Sequence, residues 1–468
     1  MLSASNASRR QFLASAACTA GAAIALGPSR LFANSPSFSD QPSVDDWQRT
    51  WDGAIAVLAG NLRKAPGYDQ PLLFEGSSYQ GIWLECGPHE GLVYASLIDV
   101  ISSGSGQAAP ARSNPDHPAT PGQRITGQPN PIQAAVNNHM AFFRLQRADG
   151  QFPASIKTTE NGFGQIQMVV PIAATALELV HSTRDEAFLS VAYSACARWD
   201  LWLRQYRATR KTGLVEGFCT YDTGHDNSPR WNGIPNRCPD ADARKCPPIA
   251  SLPRLCPDLS ATVYGGRVAI AQMAKALGKP AEADRWRNDA ETIRQLIIDK
   301  LYSPEDAAFY DLDAQGKFVR VRSDVISRVL GEHVLNPADK RDKAIFQSIW
   351  QRQLHNPSAF WAPYPFPSIA MDDPTFVRPI PRNSWGGASQ ALTALRAPRW
   401  MAHYGKSAEL RQLMHQWCAA IARSDDFRQQ LDPLTGEFTL PDPGGYSPCA
   451  LVFLSFAREL GFQRHPSS

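Results

Sequence analysis

The stretch of the chain that is richest in reactive groups is residues 221–231, Tyr-Asp-Thr-Gly-His-Asp-Asn-Ser-Pro-Arg-Trp. It places two carboxylates, Asp222 and Asp226, among aromatic rings. Hydrolysis of a glycosidic bond needs one carboxyl that protonates the leaving oxygen and a second that activates water or attacks the anomeric carbon. Desolvation by aromatic walls raises a carboxyl pKa, which suits a general acid near neutral pH. The structural alternative is that Asp226 caps a turn before Pro229.

Other side chains suit a sugar site, but each also has a structural interpretation. Arg230 and Arg382 can grip a substrate carboxylate or pair with a loop carboxylate. His225 can tune the pKa of its neighbour Asp226 or make a loop hydrogen bond. Four tryptophans can stack on pyranose faces or pack in the core. They are Trp83, Trp231, Trp361 and Trp385.

Signatures of other chemistries are absent from the sequence. It contains no P-loop, no Gly-x-Ser-x-Gly elbow and no His-Glu-x-x-His motif. The glycine pairs at 265–266 and 444–445 lack the context of a dinucleotide site. Phosphoryl transfer, esterase and zinc-protease chemistry therefore lose support, and no cofactor is predicted.

Nine cysteines are present, and Cys18 lies in the first thirty residues. Cys238, Cys246 and Cys256 crowd one proline-rich stretch, and a Cys238–Cys246 disulfide is a reasonable prediction for an oxidising compartment. No Cys-x-x-Cys pair occurs and no histidine lies between Cys238 and Cys256, so no metal site is predicted.

Hydrophobic periodicity indicates about a dozen helices and few strands. Within 259–277, for example, Leu259, Val263, Ile270 and Met273 follow one helical face. The predicted helices are 46–63, 88–103, 132–146, 166–182, 185–206, 259–277, 280–301, 324–334, 340–353, 385–404, 407–423 and 447–461.

A dozen paired helices predict an all-α architecture, an (α/α)6 toroid of helical hairpins with long loops at one end. The alternative is an open helical solenoid. Three long loops, at 104–131, 211–257 and 354–384, interrupt the helical pattern, and loops this long usually bind something. No linker divides the chain, so residues 34–468 are expected to form one domain.

The composition and net charge limit the classes of binding partner that the sequence supports. The 468 residues are 43% hydrophobic, which is enough for a large core. Lys and Arg exceed Asp and Glu by only three, so there is no electrostatic argument for nucleic acid or an anionic membrane. A small sugar or oligosaccharide is the expected partner.

The first 33 residues have the parts of an export signal. A twin arginine, Arg9-Arg10, precedes a mild apolar run that is too short to span a bilayer, and Ala33 offers a small-residue cleavage site. This pattern predicts twin-arginine translocase as a partner, a mature protein that is not inserted in a membrane, and a periplasmic or extracellular location.

The segment at 224–229, Gly-His-Asp-Asn-Ser-Pro, resembles a segment of the (α/α)6 six-hairpin glycosidases. These include trehalases and, closest in pattern, the mannosylglycerate hydrolase-like members of glycoside hydrolase family 63. The resemblance implies that Asp226 is the general acid. It also places Tyr221 where the family usually has a sugar-contacting Trp.

Further similarities follow in the family's order over roughly residues 70–460. Residues 79–86 resemble a Trp-Asp-Ser region in which Glu85 replaces a substrate-contacting Asp, beside Trp83. Residues 149–153 with 165–167 resemble the Asp-Gly-x-x-Pro block and the substrate-facing Gln, here Gln167. Residues 381–387 resemble the turn that carries Trp385, and residues 431–437 the terminal Tyr-Asp-Pro-x-Thr-Gly-Glu block.

One position departs from the family. Its general base falls at Gln429, whose amide cannot accept a proton from water, while Tyr446 aligns with the Trp that starts the last helix. Loss of a base typically costs ~10²–10⁴-fold in rate. Three interpretations follow: another carboxylate such as Glu437, Asp425 or Asp426 serves as base; the chemistry differs and uses Asp222 or Glu85, or proceeds by elimination; or the site binds a glycan without cleaving it.

Two functions therefore stand. The first is an exported glycoside hydrolase that cleaves an α-linked glucoside or mannoside, by inversion as the resemblance implies, with Asp226 as acid and Glu437 as the second catalytic carboxylate. The predicted substrate-binding residues are Trp83, Glu85, Gln167, Tyr221, Arg230, Trp385, Gln429 and Tyr446. The alternative is a noncatalytic glycan-binding or accessory protein on the same scaffold.

Overall fold

A computed structural model describes residues 42–103, 129–381, 384–424, 426–439 and 444–462. The predicted signal at 1–33 and nearly all of the loop at 104–131 lie outside these residues, as do Arg382 and Asp425. Within the described residues, no helix combines the length and apolarity needed to cross a bilayer.

The described part of the chain is mainly helical, as the periodicity predicts. Its α-helices are α1 (Val44–Gly60), α2 (Gly87–Ser96), α3 (Ile98–Ser103), α4 (Pro131–Arg144), α5 (Ile172–Thr183), α6 (Glu186–Tyr206), α7 (Pro257–Ala276), α8 (Pro280–Leu301), α9 (Val325–Gly331), α10 (Lys340–Ile349), α11 (Ala391–Met401), α12 (Ser407–Ser424) and α13 (Ser447–Glu459). A π-helical turn, Trp350–Leu354, extends α10.

Six helices close a ring. Helix α2 packs against α5, α5 against α7, α7 against α9, α9 against α11, α11 against α13, and α13 returns to α2. Outer helices cover this ring: α4 and α6 pack on α5, α8 on α7, and α1 and α12 on α13. The alternation of outer and inner helices along the chain confirms the predicted all-α (α/α)6 toroid.

Burial separates the two rings. In inner helix α13, the run Leu451–Leu454 is fully buried, because neighbours surround the helix. Outer helix α8 buries one stripe that includes Ala283, Ala290, Ile293 and Ile297, and leaves its charged face in solvent. Outer helix α6 begins at a side-chain cap, where Asp185 accepts a hydrogen bond from the Phe188 N–H at 2.9 Å.

The strands are short and all their pairings are antiparallel. They form small sheets in the order β1-β2, β3-β4-β5, β11-β10-β7-β6, β8-β9 and β12-β13. Their bounds are β1 (Leu62–Ala65), β2 (Tyr68–Leu73), β3 (Gly81–Trp83), β4 (Ser155–Lys157), β5 (Asn161–Gly162), β6 (Glu216–Gly217), β7 (Arg254–Leu255), β8 (Tyr302–Ser303), β9 (Ala308–Phe309), β10 (Asp311–Leu312), β11 (Phe318–Val319), β12 (Ser389–Gln390) and β13 (Gln430–Leu431).

The segments that lead into the inner helices carry the predicted site. Since each outer helix returns the chain, the inner helices all start at one end of the ring. Glu85 immediately precedes α2, Gln167 precedes α5, Asp226 lies on the way to α7, Trp385 precedes α11 and Gln429 precedes α13. The topology therefore gathers residues that are hundreds of positions apart.

Candidate active site

Asp226 is half-buried on the loop between β6 and β7. Its carbonyl accepts a hydrogen bond from the Trp385 N–H at 3.0 Å, which ties this loop to the segment before α11. Gly224 and Asn227 on either side have φ angles of 61° and 56°. These left-handed residues turn the backbone sharply around Asp226, a conformation that suits Gly and Asn.

Asp222, the other carboxylate of this stretch, is structural. It is fully buried and accepts hydrogen bonds from the N–H groups of Ile166 (2.9 Å), Phe218 (2.7 Å) and Cys219 (3.2 Å). The guanidinium of Arg207 forms a buried ion pair with the same carboxylate. These partners occupy both oxygens, so Asp222 orders the loop and does not offer a catalytic carboxylate.

The structure gives Arg230 a different role from the predicted contact with substrate. Its Nε and one terminal nitrogen donate to Asp311 at 2.8 and 2.6 Å, and its two terminal nitrogens donate to Asp258 at 2.7 and 2.8 Å. The remaining donor faces His225 Nδ1 at 3.0 Å. All five guanidinium donors are engaged, which leaves none for a substrate carboxylate.

His225 continues this network towards α9. Because Arg230 donates to Nδ1, the ring proton lies on Nε2, which donates to Asp324 at 2.6 Å. Burial, with the nearby Arg328 charge, lowers the pKa of His225 to about 4, so the ring is neutral. Burial acts to raise the pKa of Asp324, but Arg328 and His225 outweigh it and hold that pKa below its usual value.

These buried groups form one unit behind the loop that carries Asp226. We call it the arginine network; it comprises His225, Arg230, Asp258, Asp311, Asp324 and Arg328.

Trp385 lies against the arginine network, not in an open cleft. Its ring is 5.2 Å from His225, and the Arg328 guanidinium lies 5.0 Å from its centroid. Only 3% of Trp385 is exposed, so it supports Asp226 through its backbone N–H and offers no open face to a sugar in this structure. Trp231 is likewise buried, and its Nε1 donates to Thr223.

Glu85 meets the loop that carries Asp226 from the other side. Its Oε2 lies 1.5 Å from where a Cβ on Gly224 would stand, so only glycine fits there. This oxygen is buried and has no hydrogen-bond partner among the described residues. Burial and the Asp226 charge raise the pKa of Glu85 to about 7, against the opposing effect of Arg328. Gln167, which has a φ of 44° and accepts from Gln165, lies beside the Glu85 carboxyl.

A group of buried acids lies behind Glu85. We call Glu75, Glu85, Cys86 and Glu90 the acidic cluster. The Cys86 thiol donates to Glu75 at 2.8 Å, and both carboxyl oxygens of Glu90 are buried without a hydrogen-bond partner among the described residues. Burial and the neighbouring acids raise the pKa of Glu75 well above its usual value, and burial raises that of Glu90 to about 8.

Gln429, which occupies the position of the family's general base, lies among aromatic side chains. Gln429 Oε1 accepts a hydrogen bond from the Tyr79 hydroxyl at 2.8 Å. The Tyr79 ring packs edge-on against Trp83, at 5.6 Å, and also contacts Tyr446. Trp83 is half-buried, whereas Tyr446 is 1% exposed. The predicted residues Trp83, Gln429 and Tyr446 are thus brought together through Tyr79.

Two predicted residues lie on the neighbouring loops. Tyr221 is half-buried, and burial together with the Asp226 charge raises the pKa of its hydroxyl. Glu437 is exposed in the turn after β13, where its carbonyl accepts from the Asp432 N–H. The alternative base Asp426 is paired with Arg428 at 2.5 Å.

In the part of the chain that the structure describes, thiols and carboxylates form three groups whose potential ligand atoms lie within 4.8 Å of one another. In two of these groups an arginine already neutralises the carboxylates. Arg207 pairs with Asp222 beside Cys219 and Cys238, and Arg230 pairs with the carboxylates of the group around Cys256. The third group consists of Glu75, Glu85 and Cys86 from the acidic cluster.

The predicted Cys238–Cys246 disulfide is not present. All eight cysteines of the described residues are thiols, and Cys238 faces Cys219 at a sulfur–sulfur distance of 3.8 Å. Cys246 packs beside this pair. Spacing along the chain pointed to Cys246 because Cys219 reaches Cys238 only through the folding of the loop.

Sequence reasoning missed several residues that complete the site. Tyr79 is the first residue of the motif at 79–86, from which only Trp83 and Glu85 were predicted as site residues. Its position four residues before Trp83 was the signal that could have identified it. Glu75, Asp324 and Arg328 carried no local signal, since their partners lie on other segments of the chain.

Comparison with known proteins places this geometry in a family. Residues 132–448 match the mannosylglycerate hydrolase MGH1-like glycoside hydrolase domain, which is more than half of the chain. No curated protein matches the sequence.

Solved structures show the same fold. The GH63 mannosylglycerate hydrolase from Thermus thermophilus in complex with glucose has a TM-score of 0.60 at 17% identity, over 87% of this chain and 99% of that chain. The same enzyme with Tris and D-glycerate gives 0.61 at 17% identity, over 88% and 100%. Neutral trehalase Nth1 from Saccharomyces cerevisiae gives 0.57 at 12%, over 83% and 73%. The chain therefore belongs to the MGH1-like glycoside hydrolase family and has the six-hairpin fold of glycosidases.

Proposed function

We propose that this protein is an exported, inverting hydrolase of a small α-linked glucoside or mannoside, with Asp226 as general acid and Glu437 as general base. The observation that carries the proposal is the close packing of the Glu85 carboxyl against the loop that carries Asp226, where Gly224 leaves no room for a Cβ beside Glu85 Oε2. The charge of Asp226 acts on Glu85, and this buried oxygen of Glu85 has no hydrogen-bond partner among the described residues. A sugar hydroxyl can supply the missing hydrogen bond.

The acid step uses the ordering around Asp226. The loop is held by Asp222 from within and by Trp385 from the neighbouring segment, so the backbone that carries Asp226 is fixed on two sides. A carboxyl placed in this way can donate its proton to the glycosidic oxygen as the bond to the anomeric carbon breaks. Glu85 and Gln167 are positioned to hold hydroxyls of the departing sugar ring.

The base step is assigned to Glu437. The turn that carries it follows β13, which pairs with β12, and β12 follows the segment that binds Asp226. Gln430 joins the Glu437 turn to that segment by accepting from the Ser384 N–H at 3.0 Å. Inversion requires a water between the two carboxyls, at a separation of ~6.5–9.5 Å. An exposed carboxylate on a neighbouring loop suits activation of that water better than the amide of Gln429.

The test follows sugar release and its stereochemistry. Purified protein is incubated with α-glucosides, trehalose and α-mannosides, among them mannosylglycerate because related structures carry that name. NMR is expected to show the β-anomer first. Asp226→Asn and Glu437→Gln should each lower the rate by ~10²-fold or more. Glu459→Gln, an exposed glutamate at the far end of α13, is the matched control.

Two outcomes contradict the proposal. If the α-anomer appears first, the mechanism is retention and Glu437 is not a base acting through water. If no tested sugar is released but ligands still shift protein resonances, the site around Gln429 binds glycans without cleaving them.

Export is a separate part of the proposal. It is supported by the twin arginine and the apolar run before Ala33. Cell fractionation should find the protein outside the cytoplasm, and replacing Arg9 and Arg10 with Lys should retain it inside. Equal distributions for both proteins would refute a twin-arginine route.

A further inference from the structure

Two buried thiols lie at the base of the loop that carries Asp226. Cys219 and Cys238 place their sulfurs 3.8 Å apart, and they are 0% and 3% exposed. Cys219 precedes the 3₁₀ turn Thr220–Thr223, and Cys238 precedes the turn Pro239–Ala241. Asp226 lies on the stretch of chain between the two cysteines.

The backbone around the two thiols already brings them side by side. The Thr220 N–H donates to the Pro235 carbonyl at 3.0 Å, and the Tyr221 N–H donates to the Asn236 carbonyl at 3.1 Å. These bonds hold residues 220–221 beside residues 235–236, next to the two cysteines. A disulfide needs sulfurs ~2.05 Å apart, and the two sulfurs already face each other at 3.8 Å.

A metal ion does not suit this group, although Asp222 lies close to both sulfurs. The Arg207 guanidinium pairs with Asp222 and lies 3.7 Å from Cys238 Sγ. A second cation at the same place would meet the charge of this buried arginine. The group is thus arranged for thiol chemistry.

We propose that Cys219 and Cys238 form a disulfide in the mature protein, and that Cys246 is the thiol through which oxidation enters. Cys246 is half-buried and packs on the pair, whereas the two partners are inaccessible. The oxidant is a disulfide compound, either a protein disulfide of a thiol oxidase or oxidised glutathione.

The exchange balances in three steps. The Cys246 thiolate attacks the oxidant disulfide, forming a mixed disulfide and releasing one thiol. The Cys238 thiolate then attacks the Cys246 sulfur and releases the second thiol of the oxidant. Finally, the Cys219 thiolate attacks the Cys238 sulfur, which returns Cys246 to its thiol form. Overall, two protein thiols are oxidised and one disulfide of the oxidant is reduced to two thiols.

The link would close a loop around Asp226. Cross-linking residues 219 and 238 limits the freedom of the loop in the unfolded chain and keeps its base together in the folded one. We expect the midpoint of thermal unfolding to rise by about 5 °C on oxidation. The proposal holds whichever sugar the site accepts, since it concerns the loop and not the substrate.

The experiment maps thiols in the mature protein. Reduced protein is treated with oxidised glutathione, denatured, alkylated and digested, and the peptides are identified by mass spectrometry. Six of the eight cysteines from Cys86 to Cys449 should be alkylated, with one cross-linked peptide joining Cys219 to Cys238. Cys196→Ser, a buried thiol in α6, is the control and should leave the cross-link unchanged.

Each other outcome decides against part of the proposal. Eight alkylated cysteines, or a final Cys238–Cys246 cross-link, would overturn the assignment of the disulfide. Cys246→Ser should slow formation of the Cys219–Cys238 link about tenfold or more without preventing it. An unchanged rate would overturn the entry role of Cys246.

Discussion

Two buried groups of charged side chains flank Asp226, and they are built on opposite principles. The arginine network balances acids with bases, and Arg230 is engaged at every donor. The acidic cluster brings three carboxyls and a thiol together, and carboxyl oxygens of Glu85 and Glu90 are buried without a hydrogen-bond partner among the described residues. The first group keeps the acids ionised, as at Asp324, whereas the second keeps them protonated, as at Glu75.

The difference assigns different tasks to the two groups. Every charge of the arginine network has an opposite charge beside it, although one Arg328 nitrogen is buried without a hydrogen-bond partner among the described residues. Such a network resists movement, because movement would leave a buried charge without its partner. It therefore fixes the position of the Asp226 loop. A cluster of acids with raised pKa values instead responds to pH and couples to Asp226 through its charge. It therefore influences the proton on Asp226, the proposed general acid.

The largest expected effect comes from breaking the arginine network. Arg230→Met leaves Asp258 and Asp311 buried without their cation, which should lower the free energy of unfolding by about 3–5 kcal/mol. Denaturant unfolding measures this change. Arg341→Met removes a comparable but exposed ion pair with Asp299, and should cost less than about 1 kcal/mol. Equal losses of unfolding free energy in the two variants would show that the buried network stabilises the fold no more than an exposed ion pair does.

The pH dependence of stability should distinguish the two groups. Glu90 has a folded pKa of about 8, above its unfolded value, so the native state holds its proton where the unfolded chain has lost it. The free energy of unfolding should fall as pH rises from about 4.5 to 8. Glu90→Gln should reduce this fall by up to about 5 kcal/mol, since each unit of pKa difference corresponds to ~1.4 kcal/mol.

The loss of stability at low pH should report on the arginine network. Asp258 and Asp324 have lowered pKa values, so their contribution is complete above the unfolded value of 3.8 and is lost as pH falls below it. Chemical denaturation from pH 3 to 8 measures both limbs. A Glu90→Gln profile that is parallel to the wild-type profile would contradict the protonated state of the cluster.

A smaller effect is expected where the acidic cluster contacts the loop that carries Asp226. Coulomb coupling between Glu85 and Asp226 is mutual, so removing the Glu85 charge makes it easier for the acid to lose its proton. In Glu85→Gln, the alkaline limb of kcat/KM should move to lower pH by about one unit. A pH–rate profile on a cleaved sugar provides the measurement. Glu332→Gln changes a buried acid just after α9 whose pKa is also raised; it serves as control and should leave this limb in place.

Local sequence patterns predicted the helices well, because burial of one face leaves a period along the chain. The starts of two helices were wrong for a common reason. Helix α5 begins at Ile172, not at 166, since residues 165–170 are irregular, with Gln167 at a φ of 44°, and the Ile166 N–H binds Asp222. Helix α11 begins at Ala391, not at 385, since the Trp385 N–H binds Asp226. In both places, apolar residues with helical spacing belong to a non-helical segment before the helix, and this segment contacts the loop that carries Asp226.

The site was only partly predictable. The residues just before the inner helices stood in recognisable motifs, which singled out Asp226, Glu85 and Gln167; their roles stay predictions. For Arg230 the sequence allowed both a substrate contact and a salt bridge to a loop carboxylate, and could not decide because its partner Asp311 lies 81 residues further along the chain. The Cys219–Cys238 contact is likewise a product of the folded loop. Pairings at long range depend on tertiary packing, which no local pattern encodes.

The measurement that tests the central claim most directly compares two leaving groups in Asp226→Asn. A sugar leaving group needs a proton as it departs, whereas fluoride departs without one. The variant should hydrolyse an α-glycosyl fluoride at nearly the wild-type rate while losing ~10²-fold or more on an α-linked disaccharide. Equal losses on both substrates, or no loss on either, would contradict the assignment of Asp226 as the general acid.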